Sequence, residues 1–182
     1  DFAGYRVQRE FYVNDTGGQI ENLGKSIVWR LHEMAGAKFD RTPRGEDSWL
    51  VSGKIEFAEK NLYQGEYVRE LAQEARARWG EGVESKPDAV PMLARFGKDK
   101  LLTEIRKTLE DFRVRYDVWS SQDDLEKTGR VGRLVDFYRQ KNLAYEKDGA
   151  LYFKSKEFGD PEDRVLVKKD GAYTYRTPDI AY

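Results

Sequence analysis

The sequence predicts an α/β fold, and three observations carry that reading. A β-rich run ending in a glycine turn leads at once into an amphipathic helix within the first 35 residues. Further stripes of period 3.6 recur along the middle of the chain. The final forty residues then read as short strands joined by Asp-Gly turns. Strand, turn and helix in that order begin an α/β unit.

Each element follows from its residues. Residues 6–13 alternate, with Val7, Phe11 and Val13 on one side, and predict a strand. The turn from Asn14 to Gly18 ends it, and Asp15 or Thr16 is placed to cap the next helix. That helix carries Ile20, Leu23, Ile27, Leu31 and Met34, and Gly36 stops it. Residues 36–65 show little periodicity; Pro43, Gly45, Gly53 and many charges predict loop. Residues 66–79 are helical through Val68, Leu71, Ala75 and Trp79, and Gly80 and Gly82 end the run. Pro87 and Pro91 bracket another start, followed by the stripe Leu101, Leu102, Ile105, Leu109 and Phe112. Residues 115–120 read as a short strand and residues 130–141 as a helix with Val131, Leu134, Val135 and Tyr138 inward. Strands are expected at 144–147, 151–154, 165–168 and 172–176, with hairpin turns at Asp148-Gly149 and Asp170-Gly171.

Composition removes several functions. The 182 residues include 32 basic and 33 acidic side chains, net charge −1, so a generic polyanion binder is disfavoured. With no Cys there is no disulfide scaffold, thiol nucleophile or thiolate metal site, and one His cannot supply a multi-histidine metal site. No apolar run approaches the ~20 residues of a membrane helix. Mean hydropathy is −0.82, and the apolar fraction predicts a thin core. Asp1 opens the chain where an initiator Met would stand. Residues 1–5 read as the last stub of a helix stopped by Gly4, and residues 179–182 are apolar and strand-like. The expectation is a piece trimmed from a larger fold, with completing elements outside the chain.

Few residues point to chemistry. The turn from Asn14 to Gln19 sits where a strand meets a helix N-terminus, a place that favours anionic groups; a two-glycine turn alone is a weak signal, an ordinary capped helix is the preferred reading, and no Gly-Lys-Ser/Thr follows to make a P-loop. His32, in the last turn of the first long helix, reads as structural. Lys98, Lys100, Arg106, Lys107, Arg113 and Arg115 are interleaved with Asp99, Glu104, Glu110 and Asp111, the pattern of a solvated face. Tyr175 and Asp179 lie four apart around Pro178; a carboxylate there suits a cationic ligand, and carboxylate–guanidinium pairing is strong and geometrically selective, while Tyr and Asp near a proline are also common in ordinary turns.

Three segments resemble the bacterial-type arginyl-tRNA synthetases: DFAGYRVQREFYVNDTGGQIENLGKSI, YQGEYVRELAQE, and the last 68 residues from RYDVWSS to PDIAY, within which GDPEDRVLVKKDG is the most specific. The resemblance implies a partial Rossmann-like class I synthetase core with α+β insertions. It implies core segments at 1–35, 98–121 and 173–182 and insertions at 36–97 and 122–172. It implies ATP, used with magnesium, as co-substrate; L-arginine and a tRNA as partners; no tightly bound cofactor or structural metal; no membrane; a cytoplasmic monomer. Tyr175 and Asp179 fall on the family's arginine pocket, with Asp179 pairing the substrate guanidinium. Asn14, Asp15 and Gln19 form a turn near the site. The family's His-Ile-Gly-His and Lys-Met-Ser-Lys-Ser motifs do not occur in this sequence. So no catalytic residue is expected within it, and it is expected to be inactive alone. Another reading stands beside this one, a non-catalytic module derived from a synthetase that binds RNA or a protein.

Overall fold

The computed structural model describes residues 3–37, 39–40, 48–51, 55–58 and 61–182. Contacts divide the chain into a unit from Asp15–Arg115 and a second unit made of Asp1–Asn14 with Tyr116–Tyr182.

The first unit is mainly helical. Helix α1, Gly18–Met34, follows the predicted stripe and buries Leu23, Ile27, Val28 and Leu31. Neither Asp15 nor Thr16 caps it. Gly17 occupies the N-cap with φ 84° and ψ −168°, a region open essentially to glycine, and the Asp15 carboxylate is instead 3.8 Å from the Lys98 ammonium. Helix α2, Glu66–Trp79, ends at Gly80, φ 84°. A 3-10 turn at Val83–Ser85 leads into α3, Ala89–Asp111. Pro91 stands in the first turn of α3, where backbone N–H groups have no intrahelical partner to lose. The core joins Ile27, Val28, Leu31, Val68, Leu71 and Leu93. Two glycines let α1 and α3 touch: a Cβ at Gly24 would stand 2.8 Å from Ala94 Cβ, and one at Gly97 2.7 Å from Ile27 Cδ1. Farther along, α3 emerges from the core, and its predicted apolar stripe is only half used. Ile105 and Phe112 are exposed.

The reading of residues 36–65 as loop is corrected. Strands β2 (Phe39–Asp40), β3 (Ser48–Val51) and β4 (Ile55–Ala58) form an antiparallel sheet in the order β2-β3-β4. Strands of two to four residues are too short for alternation to register. Pro43, Gly45 and Gly53 lie outside the described residues, as do Asp1 and Phe2 of the expected helical stub.

In the second unit, β1 (Glu10–Val13) pairs in parallel with β5 (Val118–Ser121), Phe11 opposite Trp119 and Val13 opposite Ser121. The strand expected at 6–13 is thus shorter, because residues 3–9 are exposed and outside the ladder. Phe11 stacks on Trp119 at 4.6 Å between ring centroids and meets Tyr116 edge-on. The helix α4, Gln122–Lys127, was not expected; the Ser121 hydroxyl accepts from Asp124 N–H at 3.1 Å as its N-cap. Helix α5 is Arg130–Gln140. Strands β6 (Ala144–Lys147), β7 (Ala150–Phe153) and β8 (Arg164–Val167) form an antiparallel sheet over a small core of Val135, Leu151 and Leu166. The β6-β7 turn has Asp148 at φ 53° and Gly149 at φ 80°, the two-residue hairpin that Asp-Gly predicts.

The expected strand at 172–176 and the strand-like end at 179–182 are also corrected. Only a single bridge, Val167 with Tyr173, continues the sheet. The chain then turns into helix α6, Arg176–Ala181. Pro178 fits because it stands in the first turn, where its missing N–H costs nothing.

Candidate functional site

Helix α6 is fastened at both ends. At its start, the Thr174 hydroxyl donates to the Val165 carbonyl at 2.7 Å and the Thr177 hydroxyl to the Leu166 carbonyl at 2.6 Å, both on β8. Thr177 and Pro178 are buried. At its far end the Tyr182 ring packs on Tyr12 of β1, centroids 4.6 Å apart, and the Tyr182 hydroxyl bonds the Glu10 carboxylate. Ser120 of β5 donates to the same carboxylate. These bonds hold Glu10 below the usual carboxylate range, Ser120 chiefly and Tyr182 next.

The outer side of α6 carries the predicted pair. Residues four apart share a helix face, so Tyr175, at the N-cap, and Asp179 lie along one side. Tyr175 is 67% exposed and Asp179 is exposed too. The Arg176 guanidinium stands over the Tyr175 ring, 4.6 Å from its centroid. Among the described residues Asp179 makes no ion pair, which leaves both its oxygens open to a planar, forked donor such as a guanidinium.

The turn residues separate. Asn14 follows β1 at its carboxyl end, is exposed, and belongs to the unit that carries α6. Asp15 and Gln19 belong to the helical unit. The Asp15 side chain is 8% exposed and faces Lys98, whereas Gln19 is exposed in the first turn of α1.

Near the carboxyl end of β5 lies an open cavity of about 650 Å³ lined by Glu10, Ser120, Ser121, Arg130, Arg133 and Tyr182 among others. Tyr175 and Asp179 are not among its lining residues. Sequence reading missed the groups that brace this region: Thr174, Thr177, Glu10, Ser120 and Tyr182. The one available signal was a pair of threonines three residues apart around Tyr175.

His32 is half-buried in the last turn of α1, its Nε2 without a hydrogen-bond partner among the described residues. Burial pushes its pKa down, opposed by the charge of Glu84. Three lysines of α3 are met by acids, Lys98 by Asp15 and Asp99, Lys100 by Glu74 and Lys107 by Asp111 at 2.6 Å. Among the described residues no group of three or more His, Cys, Asp or Glu side chains is placed to hold a metal ion, and no helix is long and apolar enough to cross a membrane.

Comparison with known proteins covers the whole chain. Residues 1–182 match the family model described as tRNA synthetases class I (R), catalytic domain. The arginine–tRNA ligase of Bacillus licheniformis is 38% identical over 182 residues, which is 99% of this chain and 30% of that protein. That of Oceanobacillus iheyensis is 39% identical with the same coverage. The arginyl-tRNA synthetase structure from Campylobacter jejuni superposes with a TM-score of 0.78 at 30% identity, over 98% of this chain and 36% of that one. The Thermus thermophilus arginyl-tRNA synthetase shares the fold, with a TM-score of 0.56 at 21% identity, and covers 99% of this chain and 29% of its own. The chain therefore spans about 30% of the length of the curated relatives it matches. It belongs to the catalytic-domain family of the class I arginyl-tRNA synthetases and carries part of their α/β core.

Proposed function

We propose that this chain is the arginine-recognising part of an enzyme that activates L-arginine with ATP and transfers it to a tRNA. The observation that carries the proposal is the exposed Tyr175–Asp179 pair on one side of α6. Asp179 binds the substrate guanidinium through two parallel hydrogen bonds, and Tyr175 forms the adjoining wall. A lysine substrate would present a point charge and lose the second bond, so the pair discriminates by shape as well as by charge. Of the turn residues Asn14, Asp15 and Gln19, Asn14, at the end of β1, belongs to the unit that carries α6 and is the one assigned to the surroundings of the site.

In this reading residues 1–35, 98–121 and 173–182 are core segments, and 36–97 and 122–172 are insertions on them. The enzyme works as a cytoplasmic monomer, and its ATP is used with magnesium. Stabilisation of the transferring phosphate, the main electrostatic demand of the reaction, falls to motifs that this sequence does not contain.

The test is ATP–pyrophosphate exchange by the full-length protein with each amino acid in turn. Exchange should depend on arginine and be absent with lysine, and the 182-residue chain alone should give none. Full-length protein that exchanges with another amino acid and not with arginine would refute the proposal.

A further inference from the structure

Helix α6 has six residues. An isolated helix so short does not hold its shape in water, so contacts outside it must aim Tyr175 and Asp179. We infer that Thr177 is the positioning residue of the arginine site, an inference that rests on the reading of Tyr175 and Asp179 above. Thr177 lies two residues after Tyr175 and two before Asp179. Two residues turn a helix by about 200°, so Thr177 faces away from both. Its side chain is fully buried while the pair it separates faces solvent. Its hydroxyl reaches the Leu166 carbonyl of β8, and that carbonyl also accepts Thr174 N–H at 2.9 Å. Thr174 and Thr177 place their hydroxyl oxygens 3.3 Å apart. Each hydroxyl has one proton, and both protons are committed to carbonyls of β8, so that approach is a packing contact and the two anchors act in parallel.

The arrangement separates positioning from folding. Thr177→Val keeps the shape of the side chain and removes only the hydroxyl. Leu166 keeps its second donor, so no buried carbonyl is orphaned. What is lost is the tether between the middle of the pair and β8.

The experiment compares wild-type full-length protein with Thr177→Val, Thr177→Ser and Asp179→Asn by pyrophosphate exchange and thermal melting. Thr177→Val should raise the arginine KM by roughly 3- to 10-fold. The ATP KM should hold and kcat change less than arginine KM. The melting temperature should fall by no more than about 4 °C. Thr177→Ser, which retains the hydroxyl, should stay near wild type. If Thr177→Val proves insoluble, Thr177→Ala against Thr177→Ser asks the same question with two small side chains. A wild-type arginine KM in Thr177→Val beside a raised one in Asp179→Asn overturns the role of Thr177 and leaves the site standing. A parallel rise in the KM of both substrates with a large fall in melting temperature also overturns it, by reducing Thr177 to a structural residue. An unchanged KM in Asp179→Asn refutes the arginine site itself.

Discussion

The helical unit and the unit that carries α6 are held together by different physics. In the first, α1, α2 and α3 meet across a continuous apolar core, and Gly24 and Gly97 let two helices approach until side chains of one touch the backbone of the other. In the second, the apolar core is small, and α6 is kept in place by hydroxyls on strand carbonyls and by a tyrosine bonded to a carboxylate. Apolar burial is non-directional and resists collapse of the whole unit. Hydrogen bonds are directional and modest in net worth. The first kind of contact supplies a rigid body; the second can set the aim of one short helix with little effect on the rest.

That contrast can be broken from either side. The largest effect belongs to the core. Leu93→Ala removes a fully buried side chain of α3 and should cost about 2–5 kcal/mol, measured by urea unfolding. Hydrogen exchange should locate the lost protection in α1 and α3; a loss confined to β6–β8 would contradict the division. A smaller effect is expected from Ser120→Ala, which removes one donor to Glu10. It should lower the melting temperature slightly and disturb the Tyr182 end of α6, seen as faster exchange of the last amides.

The smallest effects are in pH, and they fall in different windows. His32 has a folded pKa below its ordinary 6.5, mainly through burial. The unfolded chain therefore takes up the proton first, and stability should decline as pH falls from about 6.5 toward the folded value. Glu10 is also depressed, by hydrogen bonds from Ser120 and then Tyr182. Its contribution is present above the ordinary 4.5 and is lost as pH falls through the folded value. Melting curves from pH 3 to 8 should lose the upper part of the acid limb in His32→Gln and the lower part in Glu10→Gln. If both substitutions flatten the same window, the two groups are not acting as described.

Much of the fold was legible in the sequence, and the exceptions have a common cause. The helices α1, α2 and α3 bury one face along many turns, so their residues repeat at period 3.6. The Asp148-Gly149 hairpin is local chemistry, readable from two residues. The strands β2–β4 are too short to show a period. Helix α6 is set by partners on β8 and β1, which no local pattern reveals; Thr174, Tyr175 and Thr177 on their own favour strand. The pair Tyr175 and Asp179 stood out by spacing and by resemblance, whereas the threonines that hold it are ordinary until β8 lies beside them. The Asp15 cap failed for a similar reason, since Lys98 lies 83 positions away in sequence and only the fold brings it near.

The central claim is that Asp179 recognises the guanidinium of arginine. Its direct test is the arginine KM of full-length Asp179→Asn in pyrophosphate exchange. A charge-assisted hydrogen bond is worth about 1.5–3 kcal/mol, so the KM should rise on the order of 10- to 100-fold with the ATP KM unchanged. An arginine KM equal to that of the wild type would contradict the account.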